Sequence, residues 1–169
     1  MSNKCALCLH PISDWSFNTF SGQTVIHLHS SGEKQLRRLA PETVSRVPPR
    51  YEGVFAHGNL VENPERILFL AGQIGVAPDG STCQGFDAQA RQAMSNVEAL
   101  LADADMTRAN IARVVYYVTD PAHLKPLSDL RQERWSSDQA PAVTTLVVAA
   151  LAAPDLLVEI EVTACQTSC

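Results

Sequence analysis

At 169 residues and 18.3 kDa the chain has room for one domain with its own core plus an extension, and too little for two full domains. Hydrophobic residues make up 46% and charged residues 18%, with a formal net charge of −5, so no surplus of positive charge is available to track a phosphate backbone and nucleic acid is not an expected partner. No apolar run approaches the ~20 residues of a membrane helix, and the opening MSNKCALCLHPISD lacks the apolar stretch of a signal peptide, which points to a cytoplasmic protein away from membranes.

Residues 1–50 read as an N-terminal extension and connector. Cys5-x-x-Cys8 is half of a zinc knuckle, and His10, His27 and His29 are imidazoles that can complete a tetrahedral site. Against a metal, the helical H-x3–5-H spacing is absent. The preferred reading is a reduced, flexible start followed by a strand over residues 24–28, with zinc as the alternative. Cys5, Cys8, Cys83, Cys165 and Cys169 are an odd count without an export signal, which favours free thiols over a disulfide framework. GEKQLRRLAPETVSRVPPR is a basic, proline-punctuated connector.

From Tyr51 a domain begins that runs to residue 169. VFAHGNL and RILFLAGQ, separated by a loop with Asn63-Pro64, suggest a β-hairpin, and Pro78-Asp79-Gly80 a turn. Phe86, Ala90, Ala93, Met94, Val97, Leu100, Leu101 and Ala104 then recur at three- and four-residue steps, the apolar stripe of a helix of about four to five turns. VVYYVTD returns to strand chemistry, with Tyr116 and Tyr117 on opposite sides. Leu124, Leu127, Leu130 and Trp135 mark a second helix with Pro126 in its first turn. The stretch 140–164, APAVTTLVVAALAAPDLLVEIEVTA, reads as two strands forming a closing hairpin, the second with Val158, Ile160 and Val162 on one side and Glu159, Glu161 and Thr163 on the other. These elements add up to an α+β domain, a mixed sheet with two helices packed on one face. Its other face needs a second layer, for which oligomerisation is the natural source.

LFLAGQIGVAPDG, the stripe FDAQARQAMSNVEALLADADM, VVYYVTD and the closing pair of strands, in that order over residues 54–164, resemble the Rid family, also called the YjgF family. The resemblance implies a chorismate-mutase-like fold, a homotrimer, ligand clefts between adjacent subunits, and small-molecule substrates without a cofactor. In the deaminating members an arginine follows the Pro-Ala pair and holds the carboxylate of an imine or enamine acid. Here Pro141-Ala142 is followed by Val143, which offers no donor. Phe55 stands where tyrosine is common, Ala71 where serine is, Ser128 for an asparagine and Thr145 for a cysteine.

What the resemblance retains is Gly72 with Gln73, whose backbone allows close approach of a ligand, and Glu159, matched to the glutamate that positions the attacking water. Hydrolysis of a C=N bond needs a held water and a base of moderate pKa, a role open to Glu159. Thr144 and Thr145 are candidate hydrogen-bond donors, His57 and Tyr116 are further candidates, and Arg131 or Arg134 is a candidate substitute cation. Equally, Gly72 reads as a tight strand position, Glu159 as a boundary acid and the arginine pair as a solvated helix face. No phosphate-cradling glycine loop, G-x-S-x-G elbow or H-E-x-x-H pair occurs, so no organic cofactor is implied and no metal is assigned to the site. The expectation is an enamine/imine hydrolase or deaminase-like enzyme of altered specificity; the alternative is a non-catalytic trimeric module binding a metabolite or a protein.

Overall fold

The computed structural model describes residues 36–167 and, ahead of them, the backbone of Thr19–Phe20 and Gln23–Thr24. The chain divides into two compact units, residues 1–33 and 34–169. In the first, β1 (Thr19–Phe20) and β2 (Gln23–Thr24) pair antiparallel. The cysteines and histidines of the zinc alternative, and all of the expected strand 24–28 except Thr24 in β2, lie outside the described residues.

The second unit is built on a mixed sheet in the order β5 (Arg66–Phe69), β9 (Val158–Gln166), β7 (Ile111–Val118), β8 (Ala142–Val147), with β6 (Gln73–Ile74) also on β9. Two helices, α1 (Phe86–Asp103) and α2 (Leu124–Trp135), cover one face. β9 alternates as its sequence demands: Val158, Ile160, Val162 and Ala164 are buried in register with the core residues of β7, while Glu159, Glu161 and Thr163 alternate to the other side. The α1 stripe buries Ala90, Ala93, Met94, Val97 and Leu101, but Leu100 at the stripe's edge stays 39% exposed. The helix ends where Asp105 turns to φ +53°, a conformation that aspartate tolerates better than most residues, and Met106 N–H closes the turn on Leu101 O at 2.8 Å. α2 follows a short 3-10 turn in which the Asp120 carboxylate accepts from Ala122 N–H at 2.8 Å, and Pro126 sits harmlessly in its first turn.

Two expected hairpins are not formed. β8 and β9 do not pair; β7 lies between them, parallel to β8 and antiparallel to β9. β7 is the most deeply buried strand, with Val115 as well as Val114, Tyr116 and Val118 out of solvent, and it takes a neighbour on each edge; α2 is the crossover that a parallel β7–β8 pair requires. Nor does β4 (Gly58–Val61) pair with β5: it pairs antiparallel with β3 (Leu36–Leu39), while β5 joins β9. The partner strand LRRL was hidden inside the basic connector, because ladder bonds use main-chain groups and LRRL carries no period-two signal.

A short bridge docks residue 56 on the edge of the sheet. Ala56 pairs in parallel with Ala142, its N–H donating to Pro141 O at 2.8 Å, and Asn59 Nδ2 donates to Ala112 O and Ala140 O at 3.0 and 3.1 Å. On the face away from the helices lie Ile67 and Phe69, 51% and 75% exposed, with Leu146 at 44%.

Candidate functional site

Beside β8, on the helix side of the sheet, is a cavity of about 320 Å³. Three segments wall it. The Ala56–Ala142 bridge brings Phe55 and Tyr51 to the sheet edge, with Val54 and Phe55 N–H both donating to Tyr51 O at 3.1 Å. α2 contributes Leu124, Leu127, Ser128 and Arg131, spaced to share one helical face. β8 contributes Val143 and Thr145, two residues apart and so on one side of the strand. Four of these eight walls, Phe55, Leu124, Leu127 and Val143, are apolar; the polar groups are the hydroxyls of Tyr51, Ser128 and Thr145 and one guanidinium.

Arg131 is only 7% exposed. Its Nη2 donates to Val54 O at 2.7 Å, and its Cζ stands 4.9 Å from the centroid of the Tyr116 ring, a cation–π geometry. Tyr116 is 1% exposed and packs 6.5 Å from the Trp135 ring. Burial pushes the Tyr116 phenol well above its ordinary value, with the charge of Arg131 and its hydrogen bond pulling the other way. Tyr116 therefore lies beneath the pocket, as support for the arginine.

A second group of expected residues assembles on the opposite face. Glu159 pairs with Tyr117, whereas Ile160, its buried neighbour, pairs with Tyr116. The Glu159 carboxylate lies against the backbone of Gly72 so closely that a Cβ at residue 72 would overlap Glu159 Oε1; only glycine permits the approach. Gln73 does not join them: it opposes Ile160, which puts it on the helix side of the sheet, and it donates from Nε2 to Ala71 O at 3.0 Å. Nearby, Tyr117 O–H donates to Glu161 Oε2 at 3.0 Å and Arg113 reaches Glu161 Oε1 at 3.5 Å; the hydrogen bond to Glu161 raises the Tyr117 phenol above its ordinary value.

The candidates thus separate. Phe55, Ser128, Arg131, Val143 and Thr145 meet in the cavity; Gly72, Gln73 and Glu159 are not among its walls. Thr144 is exposed and faces away from Val143 and Thr145. Arg134 turns to α1, where it pairs with Glu98 Oε2 at 2.9 Å and donates to Arg91 O at 3.0 Å, while Trp135 Nε1 donates to Glu98 Oε1 at 2.8 Å. Arg131 and Arg134 therefore do not share a solvated face. His57 is exposed, its Nε2 2.7 Å from Ser45 O, in a larger cleft of about 1000 Å³ whose lining mixes Arg38 and Arg46 with Glu42, Glu52 and Asp138. Tyr51, Leu124 and Leu127 were missed as pocket walls; the three- and four-residue spacing of Leu124, Leu127, Ser128 and Arg131 was the available signal. Among the described residues no group of three or more His, Cys, Asp or Glu is placed to hold a metal, and no helix is long and apolar enough to cross a membrane.

A mixed sheet with two helices on one face and a small pocket beside its parallel edge strand defines the α+β class expected from the sequence. Residues 52–166 match the family described as Endoribonuclease L-PSP. The chain belongs to this family, the Rid or YjgF family of the sequence resemblance. It is similar to the Rid-family protein YyfB of Yersinia pestis, with a TM-score of 0.68 and 31% identity, covering 78% of this chain and 98% of that one. The RutC family protein YjgH of Escherichia coli is 30% identical over 112 residues, 66% of this chain and 80% of its own length. A RutC family protein of Aquifex aeolicus is 39% identical over 67 residues, which are 39% of this chain and 54% of that protein. Membership of this family carries a small-molecule-related function.

Proposed function

We propose that this chain is a small hydrolase of the enamine/imine deaminase type, with a specificity altered by Val143, acting without cofactor or metal in the cytoplasm and not on nucleic acid. The observation that carries the reading is the meeting of Phe55, Ser128, Val143 and Thr145, far apart in sequence, in one cavity at the positions the family resemblance marks as its cleft. In the reaction a water adds to the C=N carbon, its protons pass to nitrogen, and the C–N bond breaks to leave a carbonyl compound and ammonia. Glu159 is the proposed base.

Because Glu159 and Gly72 lie on the other face from the pocket, the reading requires a second copy of the chain to bring a carboxylate to each cavity, and a homotrimer is proposed. The exposed Ile67, Phe69 and Leu146 on the outer face favour such an assembly. The test is ammonia release from freshly generated 2-aminoacrylate and from a bulkier apolar imino acid, beside an arginine-bearing relative as control. Release that Glu159→Gln abolishes while the trimer persists supports the enzyme; an unchanged rate in Glu159→Gln removes the residue from the mechanism.

The same separation of base and pocket favours a second reading, a non-catalytic trimeric module that binds a metabolite or a protein. Silence on both imines from a well-formed trimer favours it. Loss of a bound partner on deletion of residues 1–45, with the trimer intact, assigns that partner to the extension.

A further inference from the structure

Arg131 is a cation that the fold has largely buried without supplying a counter-charge. Among the described residues no carboxylate lies within 4 Å of its guanidinium, whereas Arg134, three residues on, has Glu98 at 2.9 Å, and Arg91 on α1 has both Asp87 and Glu133. The neighbours of Arg131 are a carbonyl, Val54 O, and the neutral ring of Tyr116. A guanidinium carries five N–H donors in a planar fork, and a buried charge left without an ionic partner is costly. It is 93% buried and lines the cavity. Ser128 stands one turn before it on the same helix face, and Thr145 is paired with Tyr116, the ring over which the guanidinium lies. The hydroxyls of Ser128 and Thr145 and the phenol of Tyr51 thus accompany the cation in a chamber otherwise walled by Phe55, Leu124, Leu127 and Val143.

We propose that Arg131 is the anion anchor of this pocket, and that its ligands are amphipathic organic acids whose carboxylate lies on Arg131 and whose apolar body lies against Phe55, Leu124 and Val143. The inference rests on the reading above that this cavity is the ligand cleft, and it deepens that reading: the anchor stands on helix α2, across the pocket from the strand position held by Val143. A ligand held from the helix presents its apolar body, instead of its carboxylate, to β8. The volume of about 320 Å³ lies at the small end of ligand sites and suits a single ring with a short acidic arm.

The test measures binding and not turnover. Phenylacetate and its neutral isostere 2-phenylacetamide are titrated calorimetrically into the full chain near pH 7, with acetate as the acid lacking an apolar body. Phenylacetate is expected to bind at least tenfold more tightly than the amide and than acetate. Arg131→Gln is expected to lower phenylacetate affinity at least tenfold and leave the amide unchanged, with Arg131→Lys between. Equal affinity for acid and amide, no binding of either at millimolar concentration, or undiminished acid binding by Arg131→Gln overturns the proposal. Because Arg131 also holds Val54 O, folding of the variant is checked by circular dichroism; if it does not fold, the acid-to-amide ratio in the unaltered protein decides. Acid-selective binding without ammonia release from imines sinks the hydrolase reading and leaves the anchor standing; ammonia release without acid selectivity does the reverse.

Discussion

The two faces of the central sheet are made from the same strands yet organised by different physics. On the helix face Val114, Tyr116, Val118, Val158, Ile160 and Val162 form a continuous apolar layer under α1 and α2, and the pocket opens where that layer reaches the β8 edge. On the outer face the same strands present Arg113, Tyr117, Glu159 and Glu161 beside exposed Ile67 and Phe69. The helix face is complete within one chain and stabilises the fold. The outer face sets polar groups beside Ile67 and Phe69, which no other described residue of the unit covers fully, and the proposed assembly would use it. The proposed function takes its pocket from the well-packed face and its base from the one that is not.

That contrast can be broken most sharply at Leu127, which is 1% exposed and belongs to both core and pocket. Leu127→Ala is expected to cost about 2–5 kcal/mol in urea unfolding, as truncations of buried leucine do. A cost near zero would mean that the pocket wall is not part of the core. On the outer face, Gly72→Ala forces the Glu159 carboxylate aside and is expected to cost about 1–3 kcal/mol. The Glu159→Ala background should remove most of that cost; an equal cost in both backgrounds would trace it to the backbone. Between the helices, Glu98→Gln weakens its pair with Arg134 and its bond from Trp135 Nε1, with an expected loss of about 1 kcal/mol.

A pH titration separates the faces differently. The folded state holds the Tyr116 phenol above its ordinary value of 10.0 chiefly by burial, so above that pH the unfolded chain releases a proton that the folded chain keeps. Stability is expected to be unaffected by this group below pH 10 and to fall as pH rises beyond it. Tyr116→Phe should flatten that alkaline decline, and an unchanged slope would assign it to other groups. The smallest effect on folding is expected at Phe69, 75% exposed: Phe69→Ser should change unfolding by no more than about 0.5 kcal/mol while weakening self-association in light scattering. If it destabilises the isolated chain as strongly as Leu127→Ala, the outer face is not an assembly surface.

Local pattern carried much of this architecture. The α1 stripe and the alternation of β9 announced which residues face the core, because a helix or strand buries one side at a fixed period and the apolar residues mark it. Pairing was harder to read. β8 and β9 look like a hairpin because they adjoin in sequence, and LRRL looks like a connector because two of its four residues are arginine; partners were chosen by β7, which needed neighbours on both edges, and by main-chain bonds that leave no mark on side chains.

The site divides along the same line. Phe55, Ser128, Val143 and Thr145 could be nominated through the family resemblance of the sequence, and the spacing that puts Leu124, Leu127 and Arg131 on one face of α2 could be read from the chain itself. Whether two arginines three residues apart serve the same purpose could not, since each is an equally good cation in sequence. Only the packed structure turns Arg134 onto Glu98 and Arg131 into the pocket over Tyr116, because the burial and counter-charge of a side chain are set by what the rest of the fold brings against it.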